Sequence, residues 1–159
     1  MKLWIIYKNG IGFSKIIAEM LQDQLEDYID VDVGEARKID PDYLVEEKLD
    51  FLIIGDIISG EIPSLEIQDW ILKYWELLNK KKNFLKVISG YYVVLADIKV
   101  KPFWVEFLDN IVKEAEIKFL PVLRLKLNKV GFGLEKGALE LVKEFSNNII
   151  ESIINKDKQ

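Results

Sequence analysis

The chain has 159 residues, of which 50% are apolar and 31% are charged, a balance that fits one globular domain over residues 1–159 and excludes a disordered chain. It contains no cysteine and no histidine, which excludes disulfides, thiolate metal sites and histidine-dependent catalysis. The formal net charge of −5 argues against nucleic acid as a partner, because binding phosphates requires a basic face.

Along the chain, segments whose apolar residues have the pattern of a strand alternate with segments whose apolar residues have the spacing of a helix. In chain order they are a strand at 3–7, a helix from Phe13, a strand at 31–33, a short helix from Pro41, a strand at 51–54, a helix from Pro63, a strand at 84–88, a helix from Pro102, a strand at 118–127 and a helix over 138–153. This alternation predicts an α/β fold, a three-layer, doubly wound, five-stranded parallel sheet. Phe13 and Phe103 are expected to belong to the core side of their helices.

Three loops are expected at the carboxyl ends of the strands, where ligands bind in open α/β sheets. They cover residues 8–14, 56–63 and 89–101. The function of the protein is therefore expected to reside at this edge of the sheet.

The first of these loops has the composition of an anion site. Gly10 and Gly12 precede a helix N-terminus, whose free N–H groups and dipole favour an anion, and Asn9 and Ser14 add side-chain donors. The glycines lack the spacing of a Walker loop, and Lys15 stands where the dinucleotide-binding fingerprint has its third glycine.

The stretch from Ile5 to Ala18 resembles the opening of the flavodoxin family, in which an apolar strand ending in Tyr leads into a loop that binds the phosphate of FMN. Gly12 falls on the glycine of that loop, Ser14 on its last hydroxyl residue and Asn9 on its first. The resemblance continues through residues 50–63 and 87–91 and covers nearly the whole chain. It implies a flavodoxin-like fold with strand order 2-1-3-4-5.

The resemblance also implies FMN as the cofactor, with no metal and no catalytic residue assigned. The phosphate would be bound by Asn9, Gly10, Ile11, Gly12, Phe13 and Ser14. The two edges of the flavin ring would be lined by Ile57, Ile58, Ser59 and Gly60 and by Ser89, Gly90, Tyr91 and Tyr92. The second loop has no aromatic residue to stack on the ring, so the two tyrosines either take that place or pack in the core.

Asp56 and Ser89 also occupy the places of the phosphoacceptor and the following hydroxyl residue of response-regulator receivers. Receivers need an acidic pair after the first strand to bind Mg²⁺, and Lys8 and Asn9 stand there instead. We therefore expect Asp56 to be an exposed loop carboxylate or a hydrogen-bond acceptor within its own turn.

The expected function is FMN binding and electron transfer to a redox partner. Eleven acidic and three basic residues lie between positions 23 and 50, which fits either a partner with a basic docking face or an ordinary solvated surface. Two alternatives stay open. The chain is a module that has lost FMN and binds other proteins, or it is an FMN-dependent oxidoreductase similar to the menaquinone-dependent protoporphyrinogen oxidases, which also have a long segment after the fourth strand.

The apolar runs of the chain are short. The longest, such as residues 91–96, do not reach the length needed to cross a bilayer, and the run that opens the chain ends at Lys8 after five apolar residues. We expect neither a transmembrane segment nor a signal peptide, and a cytoplasmic location. The oligomeric state is left open.

Overall fold

The computed structural model describes residues 1–10, 12–81, 85–95, 103–113, 116–128 and 133–158. The strands are β1 (Lys2–Tyr7), β2 (Asp30–Glu35), β3 (Phe51–Ile58), β4 (Val87–Val94), β5 (Lys118–Phe119) and β6 (Leu123–Lys126). The helices are α1 (Phe13–Leu25), α2 (Pro41–Glu47), α3 (Leu65–Lys80), α4 (Trp104–Val112) and α5 (Ala138–Asp157). Within these residues, no helix is long and apolar enough to cross a membrane.

The strands form a parallel sheet in the order β2-β1-β3-β4-β5, and β6 pairs with the carboxyl-terminal half of β4. This confirms the predicted α/β fold and strand order. The predicted strand over 118–127 is divided into β5 and β6, because Pro121 lies between them and has no N–H with which to continue the ladder.

Two predicted strand ends were wrong. The third and fourth strands were expected to end at Ile54 and Ile88, whereas β3 continues to Ile58 and β4 to Val94. The glycines that indicated turns lie inside the strands and make room for aromatic rings. A Cβ atom on Gly55 would lie 2.2 Å from the ring of Tyr91, and one on Gly90 would lie 2.1 Å from the ring of Trp104. The predicted start at residue 84 lies outside the described residues.

Side chains of the central strands alternate between two cores on opposite faces of the sheet, as the period of two requires. Ile53 and Tyr91 belong to the core beneath α1 and α5, whereas Ile54 and Tyr92 belong to the core beneath α2, α3 and α4. Both faces of β3 and β4 are covered, which explains why every residue of these two strands is buried.

The start of α4 differs from the sequence prediction. Phe103 precedes the helix and is 49% exposed, while the next residue, Trp104, is fully buried. The expectation that Phe103 belongs to the core was therefore wrong, because the inward face of α4 begins one residue later. Phe13, in contrast, packs partly buried against the core.

Candidate functional site

The carboxyl ends of β1, β3 and β4 meet at one edge of the sheet. An open cleft of about 520 Å³ lies there, and its walls include Lys8, Arg37, Ser59, Gly60 and Ile62. This volume is in the range of small-molecule sites. The edge therefore has both the position and the space that a ligand of ordinary size requires.

The first turn of α1 is built as an anion site. Gly12 precedes the helix with a φ of 93°, in the left-handed region that favours glycine, and no side chain in the described part of the chain caps the helix there. The first N–H groups of a helix have no partner within it, and the helix dipole makes this end positive. A phosphate oxygen is the kind of acceptor that such a turn binds.

Ser14, in this same turn, is fully buried, yet its Oγ has no hydrogen-bond partner in the part of the chain that the structure describes. A buried hydroxyl without a partner is costly, because it has lost its hydrogen bonds to water. A ligand oxygen accepting from Ser14 would remove that cost.

Tyr91, in β4, is hydrogen-bonded to the first turn of α1. Its ring is fully buried above Gly55, and its hydroxyl donates to the backbone carbonyl of Ser14 at 2.7 Å. Burial raises the pKa of the Tyr91 hydroxyl well above its usual range, so the group is a neutral donor. Tyr91 and Tyr92 thus lie in β4 within the two cores, and not in a loop as predicted.

Asp56 is the functional candidate whose environment the sequence did not reveal. It is fully buried, and its Oδ1 accepts from the Ile57 N–H at 2.8 Å and from Ser64 Oγ at 2.7 Å. Its Oδ2 accepts from the Ser64 N–H at 2.9 Å and from Trp104 Nε1 at 3.0 Å. Of the two alternatives expected for Asp56, the exposed loop carboxylate was wrong, whereas the acceptor of hydrogen bonds from its own turn agrees with the bonds from Ile57 and Ser64. The missed signal is the pair of isoleucines at 57 and 58, which extends the apolar strand beyond Asp56.

One ion pair borders the cleft, because Arg37 and Glu66 both line it. Arg37 Nε lies 2.8 Å from a carboxylate oxygen of Glu66, and the carboxylate is largely buried while the guanidinium is exposed. This wall of the cleft therefore presents a cationic group to solvent.

Several solved structures share this architecture. A flavodoxin from the domain Archaea matches with a TM-score of 0.71 at 18% identity, over 96% of this chain and 99% of the flavodoxin. A flavodoxin of Streptococcus pneumoniae TIGR4 matches with a TM-score of 0.70 at 19% identity, also over 96% and 99%. This chain has a flavodoxin-like fold. No protein-family model matches it, and no curated protein is a significant match to its sequence.

The flavodoxin-like fold also occurs in larger proteins. Rubredoxin:oxygen oxidoreductase from Desulfovibrio gigas matches with a TM-score of 0.75 at 12% identity, over 98% of this chain but only 36% of that protein. The chain thus spans about a third of that relative and nearly the whole of the flavodoxins. At these identities the comparisons establish the fold alone.

The flavodoxin-like fold brings only part of the predicted site to the carboxyl edge. The residues found there are Asn9, Gly10, Gly12, Phe13, Ser14, Ile57, Ile58, Ser59 and Gly60. Ile57 and Ile58 end β3 and line the cleft although little of their side chains is exposed, whereas the predicted residues from 89 to 92 lie inside β4. Ser89, for example, pairs with Ile53 in the sheet and donates its hydroxyl to the carbonyl of Pro121 at 3.0 Å. Ile11 and residues 96–102, which include the second part of the predicted third loop, lie outside the described residues.

Proposed function

We propose that this protein binds FMN at the carboxyl edge of its sheet and acts as a cytoplasmic electron carrier. The observation that carries the proposal is the Ser14 hydroxyl, which is buried in the first turn of α1 in a flavodoxin-like fold and has no hydrogen-bond partner among the described residues. A phosphate at this turn would accept from Ser14 Oγ and from the free N–H groups of the helix.

The described residues that could contact the flavin ring are exposed, so the ring would remain partly open to solvent. Ser59 and Gly60 offer exposed backbone groups beside the cleft, and Ile62, which is 56% exposed, offers an apolar surface. Bound FMN would supply the redox-active ring, while the protein would hold it and adjust its electronics through burial and nearby charge.

A titration with two flavins tests the proposal. FMN and riboflavin differ only in the phosphate, so quenching of flavin fluorescence should show FMN binding about tenfold or more tightly than riboflavin. Equal affinity would contradict the role of the α1 turn. Absence of binding by either flavin would contradict the function itself.

A second candidate is a protein-interaction module that has lost FMN. It is favoured by the burial of Tyr91 and Tyr92, since the described residues then provide no aromatic side chain from β4 to stack on a flavin. This candidate predicts that neither flavin binds and that the cleft edge contacts another protein.

The redox partner was expected to carry a basic docking face. Five of the acidic residues behind that expectation lie around the end of α1 and the start of β2, namely Asp23, Glu26, Asp27, Asp30 and Asp32. That is the edge opposite the cleft, so these charges do not support a basic partner at the proposed site.

A further inference from the structure

Asp56 carries a buried charge without a cationic partner in the described part of the chain. Its four hydrogen bonds come from neutral donors, and none of the described ion pairs includes it. Burial raises the pKa of this carboxyl above its ordinary value, while the donors from Ser64, Trp104 and Ile57 act in the opposite direction. Such a group is costly to bury and is expected to have a specific role.

The four donors come from three separate elements. Ile57 belongs to β3, Ser64 is the residue before α3, and Trp104 is the first residue of α4. The carboxylate thus lies at the N-terminus of α3, where a negative charge is favoured, and reaches α4 through the indole of Trp104. One side chain thereby links the end of β3 to the starts of α3 and α4.

The loop between β3 and α3 is held at both ends by this carboxylate. Oδ1 binds the N–H of Ile57 and Oδ2 binds the N–H of Ser64, so residues 58–63 are closed into a loop by one group. The Ser64 hydroxyl donates to Asp56 and does not cap α3. Ser59, Gly60 and Ile62 of this loop line the cleft.

We propose that Asp56 is a positioning residue, whose buried carboxylate fixes residues 59–63 and the start of α4 so that the flavin-ring part of the site is formed before the ligand binds. This inference rests on the proposed function. Trp104 transmits the same restraint to α4, since its ring packs over Gly90 and lies 5.4 Å from that of Tyr92. A preformed loop improves affinity because binding no longer has to order it.

Asp56→Asn tests the inference with a side chain of the same shape. Whichever way the amide is turned, its NH₂ group meets a backbone or indole N–H donor, because both carboxylate oxygens accept from such groups. We expect hydrogen exchange of the amides at 59–62 and of Ser64 in the flavin-free protein to become at least about tenfold faster. We also expect the affinities for FMN and riboflavin to fall by the same factor, about tenfold, which leaves their ratio unchanged.

Two milder variants guard against a failure of Asp56→Asn to fold. Ser64→Ala removes the hydroxyl donor and should produce a smaller effect in the same direction. Trp104→Phe removes the indole donor together with part of a fully buried ring, so its effect on flavin affinity is judged against a control that also loses buried volume. Val142→Ala in α5 is the control, because it removes buried volume from the opposite core without touching Asp56 or the loop. It should lower stability and leave both flavin affinities unchanged.

The outcomes separate the two proposals. If the wild-type protein binds neither flavin, the proposed function fails, and this inference fails with it. If the wild-type protein binds FMN but the Asp56, Ser64 and Trp104 variants behave like Val142→Ala, only the inference is overturned. The inference is also overturned if exchange at 59–62 and at Ser64 is unchanged, or if the affinity for FMN falls while that for riboflavin does not.

Discussion

Replacing Tyr91 by Phe should lower the free energy of unfolding by about 1 kcal/mol, the usual contribution of one hydrogen bond. The hydroxyl that is lost is fully buried and donates to the carbonyl of Ser14 at 2.7 Å. Phenylalanine keeps the ring above Gly55, so little else changes. In a chain of this length, the loss corresponds to a fall in Tm of about 2–4 °C.

Tyr91→Ala removes the ring as well and should cost about 3–5 kcal/mol, because a cavity forms in the core between the sheet and α1. Urea unfolding followed by circular dichroism measures both variants.

Tyr92→Phe is the matched control: the Tyr92 hydroxyl has no hydrogen-bond partner among the described residues, so the change should be within about 0.5 kcal/mol. Losses below about 1 kcal/mol for both Phe and Ala at position 91 would refute the placement of this ring in the core.

The remaining predictions concern one close contact and one ion pair. Gly55→Ala should destabilise the protein, because its Cβ would lie 2.2 Å from the Tyr91 ring; combined with Tyr91→Ala it should cost less than the sum of the two changes, and additive free energies would contradict the contact. Burial alone would raise the pKa of Asp50, but hydrogen bonds from the Lys86 ammonium and the Lys2 N–H hold it below its ordinary value. This carboxylate therefore stabilises the fold above pH about 4, and the contribution is lost as the pH falls through its lowered pKa. Lys86→Met should destabilise the protein at neutral pH and have less effect in acid, and an equal effect at both would count against the pair.

The order of elements was predictable because it depends on local patterns. The apolar run of residues 3–7 and the helical period from Phe13 are each visible within a short stretch of the sequence. Parallel pairing and right-handed crossovers then leave few possible topologies. The strand order and the position of the first loop followed from these local signals together with the family resemblance.

The ends of β3 and β4 were not predictable in the same way. Gly55 and Gly90 have the local character of turn residues, and only their contacts with Tyr91 and Trp104 explain them as strand residues. Such contacts join residues that are 36 and 14 positions apart, and the local pattern of apolar residues does not predict them. The same limit applies to Asp56, whose donors at positions 64 and 104 are brought to it by the fold.

The proposed FMN site depends most directly on the Ser14 hydroxyl, and the ratio of FMN to riboflavin affinity in Ser14→Ala measures its role. We expect FMN to bind about tenfold more weakly, because one donor to the phosphate is lost, while the affinity for riboflavin is unchanged. Ser152→Ala is the control, since Ser152 is also buried with an unpartnered hydroxyl among the described residues but lies near the end of α5, and neither affinity should change. An unchanged ratio in Ser14→Ala would contradict a phosphate site at the first turn of α1.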